Sequence, residues 1–218
     1  MPWAPACSAV VGSPQTRTPG RGPYGHDDYI GVHPALRAAT QDVHERLHRH
    51  PGFAAIQAGR IDLADYRALL VRLIGFYVPF ERAAGVPPDR THRLGADLRT
   101  VGVDHAMCAA LPHCPCIPSL TTPTRRIGAL YVVEGAALGG RQLAKALDGL
   151  FGPHVTAGRE FFLGRGDATG AAWRAFVMNL ETFAGDPLAC GEIIDAAMDT
   201  FAAFELWLNG WHDPELAH

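Results

Sequence analysis

The 218-residue sequence lacks the features that mark several common classes of protein. It has no uninterrupted apolar stretch near the roughly 20 residues that a transmembrane helix needs, so we expect no membrane span. Its basic residues are scattered and its formal net charge is −3, so nucleic acid is not an expected partner. The N-terminus lacks the basic and apolar regions of a secretory signal peptide. These absences favour a globular protein of the cytoplasm.

The cysteines indicate the same compartment. The chain has five, an odd number, and Cys108, Cys114 and Cys116 fall close together. Such a set is not a disulfide framework, so a reducing cytoplasm is the simplest interpretation. With His113 the cluster has the residue types of a zinc site, and Cys114 before Pro115 resembles the Cys-Pro pairs of heme-responsive proteins. A second metal-binding half is missing, and free loop thiols are the favoured interpretation.

The sequence predicts one all-α domain. Strand-like alternation and nucleotide-binding glycine motifs are both absent. Residues 1–32 are rich in Gly, Pro, Ser and Thr and are predicted to form a disordered leader without chemistry. Residues 33–212 are predicted to form a bundle of six or so helices around one core, and residues 213–218 a short tail.

Apolar residues at helical spacing place the individual helices. The first carries Leu36, Thr40, Val43 and Leu47 on one face, and Pro34 suits its first turn. The apolar face of the second helix is Leu63, Tyr66, Leu70, Leu73, Tyr77 and Phe80, and that of the last is Ile193, Ala197, Phe201, Phe204 and Leu208. The first predicted helix runs from Pro34 to about residue 48, and the second from Asp62 to just before Pro87. The later helices cover about 89–109, 123–149, 169–184 and 187–211, with residues 150–168 irregular. Glycines at 135–140 are predicted to break the helix over 123–149.

His44 lies at the margin of the buried face of the first helix. A marginal position suits a metal ligand, because the ring reaches a pocket while its other nitrogen meets a polar partner. His48 follows one helical turn later, so a pair of metal-binding histidines is a second interpretation. Spacing alone favours a third, an ordinary histidine at the boundary of the core.

Three glycines interrupt the apolar run YVVEGAALGGR at residues 131–141. Gly135, Gly139 and Gly140 each cost about 1 kcal/mol relative to alanine inside a helix, so they need a reason. Close helix packing is one reason, and access of a flat ligand to a broken helix is the other. Together with His44, the second reason suggests heme held between two helices.

Five motifs fall in the order seen in bacterial heme oxygenases, and the chain looks most similar to those that accompany bacteriophytochromes. The resemblance covers about residues 33–210. The motifs are LRAATQDVHERLH, GFYVPFE, RRIGALYVVEGAALGGRQLAK, FFLGRGDATGAAWRAF and FAAFELWL. The resemblance implies an all-α heme-oxygenase-type bundle with the heme between a proximal and a distal helix.

The resemblance also implies roles for individual residues. His44 matches the proximal iron ligand, and Gly135 and Gly139 match the distal-helix glycines that shape the reaction. Arg37 occupies a position where relatives place a basic residue near a propionate. The implied cofactor-binding residues are Arg37, His44, Tyr131, Gly135, Gly139, Gly140 and Phe204, with Arg125 and Arg141 as weaker candidates for the rim and Phe161 or Phe162 for the heme edge.

The implied reaction is oxidative cleavage of heme to biliverdin with release of carbon monoxide and ferrous iron. Heme is then both cofactor and substrate, O2 is consumed, and a reductase or ferredoxin supplies electrons because no flavin or iron–sulfur motif is visible. A bacteriophytochrome is the implied user of the product. One departure is Ala136, where mammalian-type enzymes carry an aspartate. Two other functions stay open: a heme carrier or sensor on the same fold, and a thiaminase-like hydrolase, which would need a cysteine facing the pocket.

Overall fold

The computed structural model describes residues 31–211, and every regular element among them is helical. The predicted leader and tail therefore lie outside the described residues, apart from Gly31 and Val32. Val32 is buried and starts the first helix, one residue before the predicted domain boundary. The helices are α1 Val32–His48, α2 Pro51–Gln57, α3 Leu63–Ala84, α4 Asp89–Thr100, α5 His105–Ala109, α6 Pro123–Ala146, α7 Asp148–Phe151, α8 Glu160–Leu163, a 3-10 turn Gly166–Ala168, α9 Thr169–Glu181 and α10 Pro187–Leu208.

The three long amphipathic helices form where the periodicity predicts them, and their predicted faces are buried with two exceptions. Leu63 in the first turn of α3 is exposed, and Phe204 of α10 is half-buried. The prediction of an all-α domain with one core is confirmed. No helix in the described part of the chain is both long and apolar enough to cross a membrane.

Short elements account for most of the errors in the helix boundaries. Helix α2 was not predicted; it follows α1 directly, and His50 caps it by accepting a hydrogen bond from Gly52 N at 3.2 Å. The predicted helix over 89–109 is two helices, because Gly102 adopts a left-handed φ of 87° between them. Residues 150–168, predicted to be irregular, contain α8 and the 3-10 turn. These elements are too short for a periodic pattern to reveal.

The predicted break in α6 is wrong. The helix continues from Pro123 to Ala146, and none of its glycines has a positive φ. Thr122 caps its start by accepting a hydrogen bond from Arg125 N at 3.1 Å. Glycine lowers helix stability without forbidding the helical conformation, so packing on neighbouring helices is enough to keep α6 continuous.

Helix α6 packs closely on α10 through Gly128. A Cβ at this position would collide with the backbone carbonyl of Ile193 and lie 3.1 Å from Ala196 Cβ. Gly75 has the same function in α3, where a Cβ would lie 2.6 Å from both Pro112 O and the Trp207 indole. Both glycines therefore set the distances between helices.

Carboxylates from other helices cap three helix N-termini; Glu81 and Asp97 are buried and Glu181 is half-buried. Glu181 accepts hydrogen bonds from Val32 N at 3.0 Å and His33 N at 2.9 Å at the start of α1. Glu81 of α3 accepts from Arg90 N at 3.0 Å in α4, and Asp97 of α4 accepts from the first N–H groups of α8. A negative charge is favourable at this positive end of a helix. Burial raises the pKa of Asp97 to about 7, although the N–H groups of α8 act in the opposite direction.

The packing at Gly128 predicts an effect on stability. We expect Gly128→Ala to lower the free energy of unfolding by at least about 1–3 kcal/mol, because backbone atoms of α10 cannot move aside as a side chain can. Gly95→Ala in α4 is the matched control: its Cβ would meet no atom within 4 Å, so it should stabilise the protein by up to about 1 kcal/mol. Thermal and urea unfolding measure both. Equal effects of the two substitutions would contradict this account of α6 packing.

Candidate functional site

A polar contact joins α1 to α6 next to the residues predicted to bind a ligand. Thr40 of α1 donates to Leu36 O at 2.8 Å and also hydrogen-bonds to Tyr131 of α6. Burial raises the pKa of Tyr131, while Thr40 and the positive charge of Arg37 act in the opposite direction. The structure therefore brings Arg37 and Tyr131 together, although they lie far apart in the sequence.

Trp173 of α9 completes this contact and was missed by sequence reasoning. Its ring centroid lies 5.7 Å from that of Tyr131 and 5.6 Å from that of His33. The Trp173 ring also covers Gly135, where a Cβ would lie 3.6 Å from it. Trp173 lies within the motif FFLGRGDATGAAWRAF, and that motif was the only sequence signal that could have pointed to it. The contact between Trp173 and Gly135 depends on how α9 packs against α6.

His44 lies on the exposed side of α1, one turn beyond Thr40. Its ring meets that of His48 edge to face, with centroids 4.5 Å apart and an interplanar angle of 70°. Desolvation lowers the pKa of His44, His48 and Arg37 lower it further, and Glu45 opposes the shift. The imidazole is thereby favoured in its neutral form, which is the form that binds a metal. Arg37 makes no hydrogen bond or ion pair with any other described residue.

The glycines of α6 face three different environments. A Cβ at Gly139 would meet no atom within 4 Å, so the backbone there is open. A Cβ at Gly140 would lie 2.6 Å from Phe162 O, so this glycine allows α8 to pack on α6. Gly135 lies between these cases, in ordinary contact distance of Trp173. Of the three, Gly139 alone leaves room for a flat ligand against the helix in the part of the chain described here.

Two arginines hold Glu134, which directly precedes Gly135. Arg90 of α4 donates to Glu134 Oε1 at 2.7 Å, and Arg165 donates to Oε2 at 3.0 Å. Arg90 also lies 3.8 Å from the buried Glu81. This network connects α6 to α4 and to the segment after α8. Glu134 therefore helps to hold α6 in position.

The remaining predicted site residues each contact a different part of the protein. Phe204 packs on Phe76 of α3, with centroids 4.8 Å apart. Arg125 pairs with Asp199 at 2.6 Å and Arg141 with Asp167 at 3.0 Å. The two phenylalanines of α8 have different surroundings. Phe161 contacts Tyr77 at a centroid distance of 5.2 Å, and Phe162 is buried where α8 packs on Gly140 of α6.

The cysteine-rich loop folds against the core. Cys114 is buried and donates its N–H to Gly75 O at 2.9 Å, while Cys108 and Cys116 are half-buried. Within residues 31–211, no group of three or more His, Cys, Asp or Glu side chains is arranged to hold a metal. The described loop therefore gives no support to a zinc site.

Comparison with known proteins decides the family. Residues 32–210 match the family model described as heme oxygenase. The chain belongs to the heme oxygenase family. No curated protein matches it. Among solved structures, it is similar to heme oxygenase-1 from the cyanobacterium Synechocystis in complex with heme, with a TM-score of 0.67, 19% identity, and coverage of 86% of this chain and 94% of that chain.

Family membership confirms the predicted fold and enzyme class. The chain is a heme oxygenase of the biliverdin-producing kind, and its helices form the fold seen in the cyanobacterial structure. The roles of Arg37, His44, Tyr131, Gly135, Gly139, Gly140 and Phe204 stay predictions. Geometry places Tyr131 near Arg37 and, through Trp173, near Gly135. It leaves His44 on the exposed side of α1 and Gly139 open on α6, and it gives Gly140 a packing contact with α8.

The two adjacent glycines of α6 provide a test of this division. We expect Gly140→Ala to destabilise the apoprotein by about 1–3 kcal/mol, because its Cβ meets the α8 backbone. Gly139→Ala should instead stabilise it by up to about 1 kcal/mol and still weaken hemin binding if heme lies against this turn. Thermal unfolding and hemin titration of both variants measure this. Unchanged hemin affinity in Gly139→Ala would show that the open turn does not face heme.

Proposed function

We propose that this heme oxygenase binds heme iron through His44 and cleaves the macrocycle to biliverdin, carbon monoxide and ferrous iron. The observation that carries the proposal is the imidazole of His44, exposed and favoured in its neutral form, at the residue that matches the proximal ligand of the family. An imidazole is the neutral ligand found in heme proteins that bind oxygen.

The residues around His44 suit heme in two further respects. Arg37 lies two helical turns before His44, and its guanidinium donors are unused by other described residues. A guanidinium binds a carboxylate with two parallel hydrogen bonds, which suits a propionate. The backbone of α6 at Gly139 is open, so a flat macrocycle can approach it without a side chain in between.

Each residue of the site has its own proposed role in holding heme. Bound heme supplies the iron at which oxygen reacts and the porphyrin edge that is opened. His44 would hold the iron, and Arg37 with Tyr131 would hold a propionate. The open backbone at Gly139 would admit the macrocycle, and Trp173 with Tyr131 would form an aromatic wall beside Gly135.

We propose that water delivers the protons, because the backbone N–H groups inside the continuous helix α6 already donate within the helix. Ala136 offers no side-chain donor, and Glu134 is already held by Arg90 and Arg165. Both oxygens of the Glu134 side chain therefore face arginine guanidinium groups. Electrons are proposed to come from an external reductase or ferredoxin.

The proposal is tested by titrating the apoprotein with hemin and then adding ascorbate or a reductase in air. In the parent protein we expect one-to-one binding, then loss of the Soret band and growth of a biliverdin band. His44→Ala should lose at least the 10- to 100-fold in affinity or activity that removal of a residue supporting a metal ligand typically costs. Added imidazole should restore a histidine-like spectrum to His44→Ala.

His48→Ala is the matched control, because His48 lies on the same exposed side of the same helix. It should bind and cleave heme like the parent. A Soret band that survives reduction in air in the parent would identify a heme carrier instead of an oxygenase. Unchanged binding in His44→Ala, with its helical circular dichroism intact, would remove His44 from the role of ligand.

We further propose that the biliverdin becomes the chromophore of a bacteriophytochrome, based on the relatives that the motifs resemble most. The product made by this enzyme should attach to an apo-bacteriophytochrome and give a red-absorbing holoprotein. Failure of the product to attach, while authentic biliverdin is bound, would remove this role and leave heme cleavage intact.

A further inference from the structure

His44 and His48 form a pair of histidines that heme binding does not fully use. They are one turn apart on α1, both exposed, with ring centroids 4.5 Å apart. Residues four apart on a helix lie on the same face, so both imidazoles can turn toward one point in front of the helix. Two histidines at this spacing are a recurrent way of presenting imidazoles to a single metal ion.

Helix α2 supplies the second requirement of a metal-binding histidine. The Gln57 side chain lies 3.1 Å from His48 Nδ1. A ligating histidine usually has its other ring nitrogen held by a polar group. The amide nitrogen of Gln57 is the atom that faces Nδ1; a metal at Nε2 would place the ring proton on Nδ1, and the amide would then turn its oxygen toward the ring to accept that proton. His48 is thus oriented by a residue from a different helix.

Charges around the pair are balanced. Glu45 is beside His44 and favours a cation, whereas Arg37 on the preceding turns disfavours one. Glu45 also accepts a hydrogen bond from Gln41 at 3.1 Å, so its carboxylate is fixed along the same helix. Imidazole ligands in an open site suit divalent nickel, copper or zinc, with water completing the coordination.

We propose that His44 and His48 form a bidentate surface site for a divalent transition-metal ion, and that a metal bound there keeps hemin from His44. The second part rests on the proposed role of His44 as the heme ligand. One imidazole cannot bind both ions, so each ligand must weaken the other by direct competition. The apoprotein would then be held in an inactive, metal-bound form until hemin displaces the metal.

The site is tested with NiCl2 added to the full-length apoprotein and followed by calorimetry. The parent should bind one nickel ion on the order of a hundredfold more tightly than His48→Ala, because the second imidazole acts within the same molecule. The other nine of the 11 histidines are unchanged between these proteins, so the difference isolates the pair.

A spacing control keeps the number of imidazoles constant. The double variant His48→Ala, Arg49→His moves the second histidine five residues from His44, about 140° around a helix from it. This variant should bind nickel as weakly as His48→Ala. Recovery of tight binding would show that the i, i+4 geometry is not the cause and would overturn the site.

Competition is measured by titrating hemin with and without saturating NiCl2. Nickel should raise the apparent Kd for hemin in the parent and leave it unchanged in His48→Ala, which keeps the heme ligand. Identical nickel isotherms in the parent and His48→Ala overturn the site, even where hemin binds through His44. If nickel binds tightly but leaves the hemin Kd of the parent unchanged, the competition proposal is overturned. The hemin titration of His44→Ala then shows whether His44 is the heme ligand.

Discussion

The close approach of α6 to α10 at Gly128 is the constraint on which the arrangement of the site depends. The absence of a side chain there lets the backbone of α6 rest against Ile193. Helix α10 also carries Glu205, which forms a two-point ion pair with Arg46 of α1 at 2.6 and 2.9 Å. Both helices of the site are therefore positioned against the same neighbour, and a change in the α6–α10 distance would move Tyr131 and Gly135 relative to His44.

Helix α1 is held at both ends, with one face buried and the opposite side exposed. Glu181 caps its N-terminus, and beyond its C-terminus the His50 ring lies 3.2 Å from Leu208 O of α10. Arg37, His44 and His48 all lie on the exposed side of this helix. A rigid backbone with an exposed, partner-poor face suits a site that must hold a large planar molecule in one orientation. The same exposure makes the two histidines available to a metal ion.

The glycines of α6 show how much of the site was predictable. Sequence reasoning identified Gly135, Gly139 and Gly140 as unusual and left two explanations open. The structure assigns Gly140 to packing against α8 and leaves Gly139 open, so both explanations apply to adjacent residues. Gly128, the most tightly packed of them, drew no attention because a single glycine in an apolar run carries little signal. The contacts of Trp173 and the anchoring of Glu134 were likewise hidden, since Trp173 of α9 contacts α1 and α6, and Glu134 is held by Arg90 of α4 and Arg165 of the segment after α8.

The sequence by itself determined the long helices, their buried faces and the family. Periodicity is a local property that follows from the helical repeat, and ordered motifs survive where overall identity is low. The tertiary structure decided which glycines pack, which carboxylates cap distant helices, and that Tyr131 lies against Trp173 and near Arg37. Those contacts join residues tens to more than a hundred positions apart. They depend on helix-to-helix distances and rotations that no local pattern encodes, which is why α6 proved continuous where its composition predicted a break.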